Sequence, residues 1–89
     1  MMRIRWTRRA QTDLAALGER MRERIVHSVG LLAEFPLLGA AMDGAYSQYR
    51  QLLIDRYRVI YRAAGREVRI AYLRYGARQL TLRAVRDDE

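Results

Sequence analysis

Arginine is the residue through which this chain could do chemistry. All 17 of its basic residues are Arg and none is Lys, against 10 acidic residues, for a net charge of +7. A guanidinium stays protonated and grips phosphate or carboxylate in a bidentate fork. It is therefore a strong clamp and a poor general base. A basic domain attracts phosphate backbones and acidic protein segments. The absence of Lys is mainly the mark of a GC-rich coding sequence, which also favours Ala and Leu; the net charge follows from that bias only in part. Groups that could move a proton are scarce. The single histidine, His27, falls in a helical stretch about 200° around the wheel from Ile25, at about 100° per residue. It reads as a solvent-facing side chain. Asp55 and Glu67 stand at predicted strand ends and read as turn or surface residues. Tyr75 could act with a lowered pKa in an Arg-rich setting, but strand packing or a partner contact suits it better. With no cysteine, disulfides and thiolate metal sites are excluded, and one histidine cannot build a transition-metal site alone. No metal or cofactor is expected.

These side chains need elements to aim them. Met2 to Trp6 alternates, with Ile4 and Trp6 on one side and Arg3 and Arg5 on the other, and reads as a short strand. Thr7 is a good N-cap for a helix beginning at Arg8. Ala10, Leu14, Leu17, Met21, Ile25, Val29 and Leu32 then recur at steps of three or four, a continuous helical stripe. One helix from Arg8 to Phe35 would run about 40 Å at roughly 1.5 Å per residue. Gly18 interrupts it and predicts a hairpin, with helices over about 8–17 and 19–34. Pro36 stops the second helix, because the residue before a proline avoids the α region.

Residues 37–48 predict a loop with two glycines, Gly39 and Gly44. Three strands come after it. The first covers 49–54. The second, 56–63, places Tyr57, Val59 and Tyr61 on one face and Arg56, Arg58 and Arg62 on the other. Ala64-Gly65-Arg66 turns the chain. The third, 67–75, shows Val68, Ile70 and Tyr72 on one face and Ala71 and Leu73 on the other, which predicts an interior strand. The expectation is a single α+β domain over residues 1–89: an N-terminal strand, a helical hairpin, then a three-stranded antiparallel run completing a curved sheet. The hairpin would cover one face and Arg58 and Arg62 would be displayed on the other. The acidic tail, 81–89, is expected to fray. The chain has one small core. No apolar run approaches the roughly 20 residues of a membrane span, and Arg3 and Arg5 fall where a signal peptide would be apolar. The expected location is the cytoplasm.

Several segments, in this order and spacing, resemble the RelE/ParE superfamily of toxins from type II toxin–antitoxin systems. They are Asp13-Leu14 in the Ala10 to Leu17 helix, Leu32-Ala33-Glu34-Phe35-Pro36 followed by Gly39, then Gly44 and Tyr49-Arg50-Gln51-Leu52. The most specific is Tyr57-Arg58-Val59-Ile60-Tyr61-Arg62, followed by Val68 to Leu73 and Gly76-Ala77-Arg78. The resemblance covers about residues 3–80. It implies a growth inhibitor neutralised by a cognate antitoxin. The target would be DNA gyrase in the ParE branch, or the ribosome and its mRNA in the RelE branch.

For RelE-type RNA cleavage, the resemblance carries Arg50, Arg58 and Arg78 onto the family's basic positions. Tyr75 stands where many relatives have His, and Leu52 where a second basic residue belongs. Ala84 falls near the place of a C-terminal Tyr. The short hairpin is RelE-like; Pro36-Leu37-Leu38-Gly39 and Arg78-Gln79-Leu80 are ParE-like. RNA cleavage needs a base, a cation and an acid, and only the cation is well supplied. The reading therefore leans to a ParE-like gyrase poison with Arg58, Arg62, Arg74 and Arg78 as target contacts. The alternatives are a ribosome-dependent mRNA endoribonuclease and a non-toxic binding module. The antitoxin is expected on the hairpin, at Leu14, Leu17, Met21 and Ile25, and on the sheet edge.

Overall fold

The computed structural model describes residues 1–76. Strand β1 (Arg3–Trp6) leads into helix α1 (Arg8–Ala15) and helix α2 (Glu19–Gly30), which ends in a 3-10 turn, Leu31–Ala33. A two-residue strand β2 (Ala40–Ala41) and a second 3-10 turn (Gly44–Tyr46) precede β3 (Arg50–Ile54), β4 (Tyr57–Ala64) and β5 (Glu67–Tyr75). The sheet order is β1-β5-β4-β3-β2. The β2 to β5 pairings are antiparallel, while β1 joins β5 in parallel, so the sheet is mixed rather than antiparallel throughout. The helix boundaries fall short of the expected ones because the hairpin corner and the 3-10 turn each use up part of the stripe.

Local chemistry explains the elements. Thr7 is extended, and its hydroxyl accepts from the Ala10 N–H at 3.1 Å, the bond expected of an N-cap. Gly18 is the extended residue before α2. At the corner between the helices the Arg22 guanidinium donates to the Leu17 carbonyl at 2.9 Å, satisfying an acceptor that the end of α1 leaves free. Asp55 takes the left-handed conformation in the tight β3–β4 turn, at φ 54, which Asp tolerates better than most side chains. Its carboxylate pairs with Arg24 of α2 at 2.9 Å.

The inner, helix-covered face holds the main core: Ile25, Val29, Leu32, Val59, Tyr61, Val68, Ile70 and Leu73, with Ile4, Trp6 and Tyr57 packed at its margin. A second, smaller cluster lies on the outer face, where Tyr49, Ile60, Ala71 and Tyr72 pack under Met42 and Tyr46 from the loop before β3.

The expected alternation of β5 fails at Ala71. Tyr61 is opposite Ile70, but Ile60 is opposite Tyr72, so Ala71 is an extra residue in the strand, a β-bulge. The bulge reverses the phase of everything after it. Leu73 joins the main core, and Tyr72 turns to the outer face instead of sharing a face with Val68 and Ile70. Helix α1 lies along the stretch of β5 that β1 does not reach. There the Thr7 hydroxyl donates to the Ala71 carbonyl at 2.7 Å, and the Asp13 carboxylate accepts from the Leu73 N–H at 3.0 Å.

Candidate target-binding face and partner groove

Strand register decides which arginines come together. On β4, Arg58 and Arg62 point to the outer face, opposite Arg74 and Arg69 of β5. Arg5 of β1 sits beside Arg69. The bulge makes this possible: Arg69 and Arg74 are five positions apart and would point to opposite faces in a regular strand. Three of the four expected target contacts, Arg58, Arg62 and Arg74, thus share one face. The fourth, Arg78, lies outside the described residues.

Tyr72 stands among these arginines. It is fully buried, with the guanidinium carbons of Arg9 and Arg74 at 5.2 and 5.6 Å from the centre of its ring. Both lie within cation–π range. Burial pushes the Tyr72 phenol above its ordinary pKa, and the nearby Arg74 charge only partly opposes this. Among the described residues the Tyr72 hydroxyl and the Nε atoms of Arg69 and Arg74 are buried without a hydrogen-bond partner. Glu67 is a counter-charge: its carboxylate lies 3.3 Å from Arg5 and 3.7 Å from Arg69. Below this set, Ala40, Gln51, Leu53, Arg56, Arg58 and Gly76 line an open groove on the same face.

Arg50 is not part of this face. It is opposite Tyr61, on the inner side of the sheet, and donates to the Gly39 carbonyl at 2.7 Å and more weakly to the Leu37 carbonyl at 3.4 Å. Tyr61 completes the clamp, accepting from the Gly39 N–H and donating to the Pro36 carbonyl, both at 2.8 Å. Burial holds the Tyr61 phenol protonated to higher pH than usual, against the smaller effects of the Gly39 bond and Arg50. Tyr75 is opposite Tyr57, also on the inner side, with the two rings edge to face at 5.1 Å. Arg50 and Tyr75 meet β4 four residues apart, or about 13 Å at roughly 3.3 Å per residue. The described members of the RNA-cleaving set, Arg50, Arg58 and Tyr75, are therefore not assembled. His27 is exposed on α2. Among the described residues no three His, Asp or Glu side chains gather as metal ligands.

A second surface runs over the helical hairpin. Trp6, Gln11, Leu14, Ala15, Arg22 and Val26 line a mostly apolar groove. Of the expected antitoxin contacts only Leu14 lines it. Leu17 and Met21 are half-buried against the main core. Ile25 has no exposed surface, so it belongs to the core and offers nothing to a partner. The stripe that marked these residues was the core-facing stripe. Val26, one position on, is 46% exposed and was missed because it lies off that stripe.

Several outer-face residues were also missed. The slip of phase at Ala71 hid Tyr72; Arg69 precedes the bulge and follows the plain alternation, opposite Arg62. A strand carrying Arg at odd spacing, with apolar residues on both sides, was the available signal. Nothing local to α1 could show that Arg9 reaches Tyr72.

Comparison with known proteins agrees with the fold and identifies the family. Residues 4–80 match the family described as ParE toxin of type II toxin-antitoxin system, parDE. In structure the chain is similar to the RelBE2 toxin–antitoxin complex of Mycobacterium tuberculosis, with TM-score 0.77 and 24% identity over 83% of this chain and 96% of that one. It is similar to the chromosomal ParDE system of P. aeruginosa, with TM-score 0.69 and 23% identity over 85% and 97%. The isolated E. coli RelE toxin gives TM-score 0.74 and 17% identity over 89% and 88%. At these identities the structural likeness establishes the α+β fold. No curated protein matches by sequence.

Proposed function

The chain belongs to the ParE family of toxins of type II toxin–antitoxin systems, and from that premise we propose that it arrests growth by poisoning DNA gyrase. The target contact is the outer face, through Arg58, Arg62 and Arg74. What supports this reading over RNA cleavage is the division between the two faces. Arg58, Arg62 and Arg74 lie on one side, while Arg50 and Tyr75 lie on the other. Among the described residues the outer face also carries no histidine, the side chain best matched to proton transfer at neutral pH. Tyr72 is shifted upward by burial, the wrong direction for a base, and Tyr49 is buried beside it. A poison that traps a topoisomerase on cleaved DNA needs to bind and has no proton to move.

The restraining partner is a cognate antitoxin whose acidic, amphipathic segment lies in the hairpin groove lined by Leu14 and Val26, against a chain of net charge +7. With these partners its site of action is the cytoplasm. Purified protein added to gyrase and supercoiled plasmid tests the target. We expect gyrase-dependent double-strand breaks that Arg58→Ala/Arg74→Ala abolishes, and intact mRNA on translating ribosomes. Cleavage of mRNA at codon positions, lost in Arg58→Ala and Arg78→Ala, would replace the gyrase reading with the endoribonuclease one. Unchanged growth on induction would leave a non-toxic binding module.

A further inference from the structure

The outer face carries its charge in two rungs. Arg5, Arg69 and Arg62 lie side by side across β1, β5 and β4, and Arg58 lies opposite Arg74. Between them runs an uncharged rung, Ile60 opposite Tyr72, both fully buried. Arg62 and Arg58 are four positions apart on one strand, so the rungs stand about 13 Å apart at roughly 3.3 Å per residue. Like charges directly opposite one another destabilise a sheet. Here that juxtaposition occurs in both rungs, and Glu67 pairs with Arg5 and Arg69 of the first.

Two features narrow the range of ligands such a surface would hold. Arginines on neighbouring strands are about 5 Å apart, so two guanidiniums can serve the two free oxygens of one phosphodiester. One guanidinium fork fits a carboxylate or a phosphodiester alike, so it is the regular repeat of paired arginines, rather than any single fork, that suits a row of phosphates. Among the described residues the face offers little open aromatic surface: Tyr72 is fully buried, Tyr49 is 6% exposed, and Tyr46, which packs over them, is only partly exposed. Single-stranded nucleic acid is held by bases stacked on exposed rings. A duplex keeps its bases stacked and presents about one charge per 1.7 Å of axis, so both rungs can engage its backbone together.

We infer that the two arginine rungs clamp the backbone of duplex DNA without reading its bases. The inference rests on the gyrase reading for its meaning: the clamp is the toxin's own contact with DNA that the enzyme holds. Binding of the full chain to a fluorescein-labelled 20-base-pair duplex, measured by anisotropy over a salt series and without gyrase, tests it. The expected result is salt-sensitive binding that Arg62→Gln/Arg69→Gln and Arg58→Gln/Arg74→Gln each weaken about tenfold or more. Each replaced arginine should lower the slope against log salt by about 1. Arg8→Gln/Arg20→Gln, on the helices, should change affinity less than twofold. Arg58→Lys/Arg74→Lys should retain the slope, which a folding defect would not. The inference is overturned if the helix pair weakens binding as much as the rung pairs. It is also overturned if a single strand or a poly-glutamate peptide binds more tightly than the duplex. Gyrase poisoning without duplex binding would sink this inference and spare the gyrase reading; duplex binding without poisoning would do the reverse.

Discussion

At the scale of single residues, Gly39 and Tyr61 lock the loop that joins the helices to the sheet. A Cβ at Gly39 would lie 2.7 Å from Tyr61 Cε1 and 2.8 Å from the Gln51 carbonyl oxygen. Neither a packed ring nor a paired strand can yield that far. Gly39→Ala should destabilise the fold by about 1–3 kcal/mol, the usual cost of overpacking, read as a lower urea midpoint. Tyr61→Phe leaves the Gly39 N–H and the Pro36 carbonyl without their partner and should cost about 1–3 kcal/mol. The tyrosines also set the alkaline limit of stability. With no Lys and no Cys, essentially only phenols titrate between about pH 9 and 11. Tyr61 and Tyr72 have folded-state pKa values raised above the unfolded one. Between those values the folded state binds more protons, so stability falls with rising pH. It should be level up to about pH 9.5 and decline above about pH 10. Tyr61→Phe/Tyr72→Phe should flatten that decline in urea titrations at each pH.

At the scale of elements, α1 does more than cover the core. It supplies side-chain partners to the part of β5 that β1 leaves open, through Thr7 and Asp13. Such an edge would otherwise present unpaired backbone groups. It also spans the bulge that turns Tyr72 and Arg74 outward. Asp13→Ala should therefore speed hydrogen exchange at the Leu73 amide at least tenfold, while Asp13→Asn, which keeps an acceptor, should largely restore protection. Equal exchange in both variants and the parent would mean that the helix does not secure this edge. The Arg24–Asp55 pair, by contrast, is largely exposed and should contribute less than about 1 kcal/mol.

At the scale of the whole molecule, the sheet separates two surfaces. The inner side carries the hairpin and its apolar groove; the outer side carries the arginine rungs. A partner in the groove and a target on the outer face need not share residues. Val26→Arg should thus weaken co-purification with the antitoxin at least tenfold and leave growth arrest by the toxin alone within about twofold of the parent. Loss of both together would show that the two surfaces are not independent. Among the described residues no helix is long and apolar enough to cross a membrane.

The alternating and helical periods of the chain determined its α+β class, the hairpin corner at Gly18 and the outward arginines of β4, because these depend on local backbone geometry. The same periods identified Ile25 as apolar and helical, but not whether its stripe met the core or a partner. The faces of Arg50 and Tyr72 were decided only by tertiary structure. Leu52-Leu53-Ile54 is apolar at every position, so its phase is unreadable until β3 is paired with β4; that register turns Arg50 inward. Tyr72 turns outward because Ala71 has no partner across the sheet. A bulge is a property of two strands together, and either strand read alone continues its alternation straight through it.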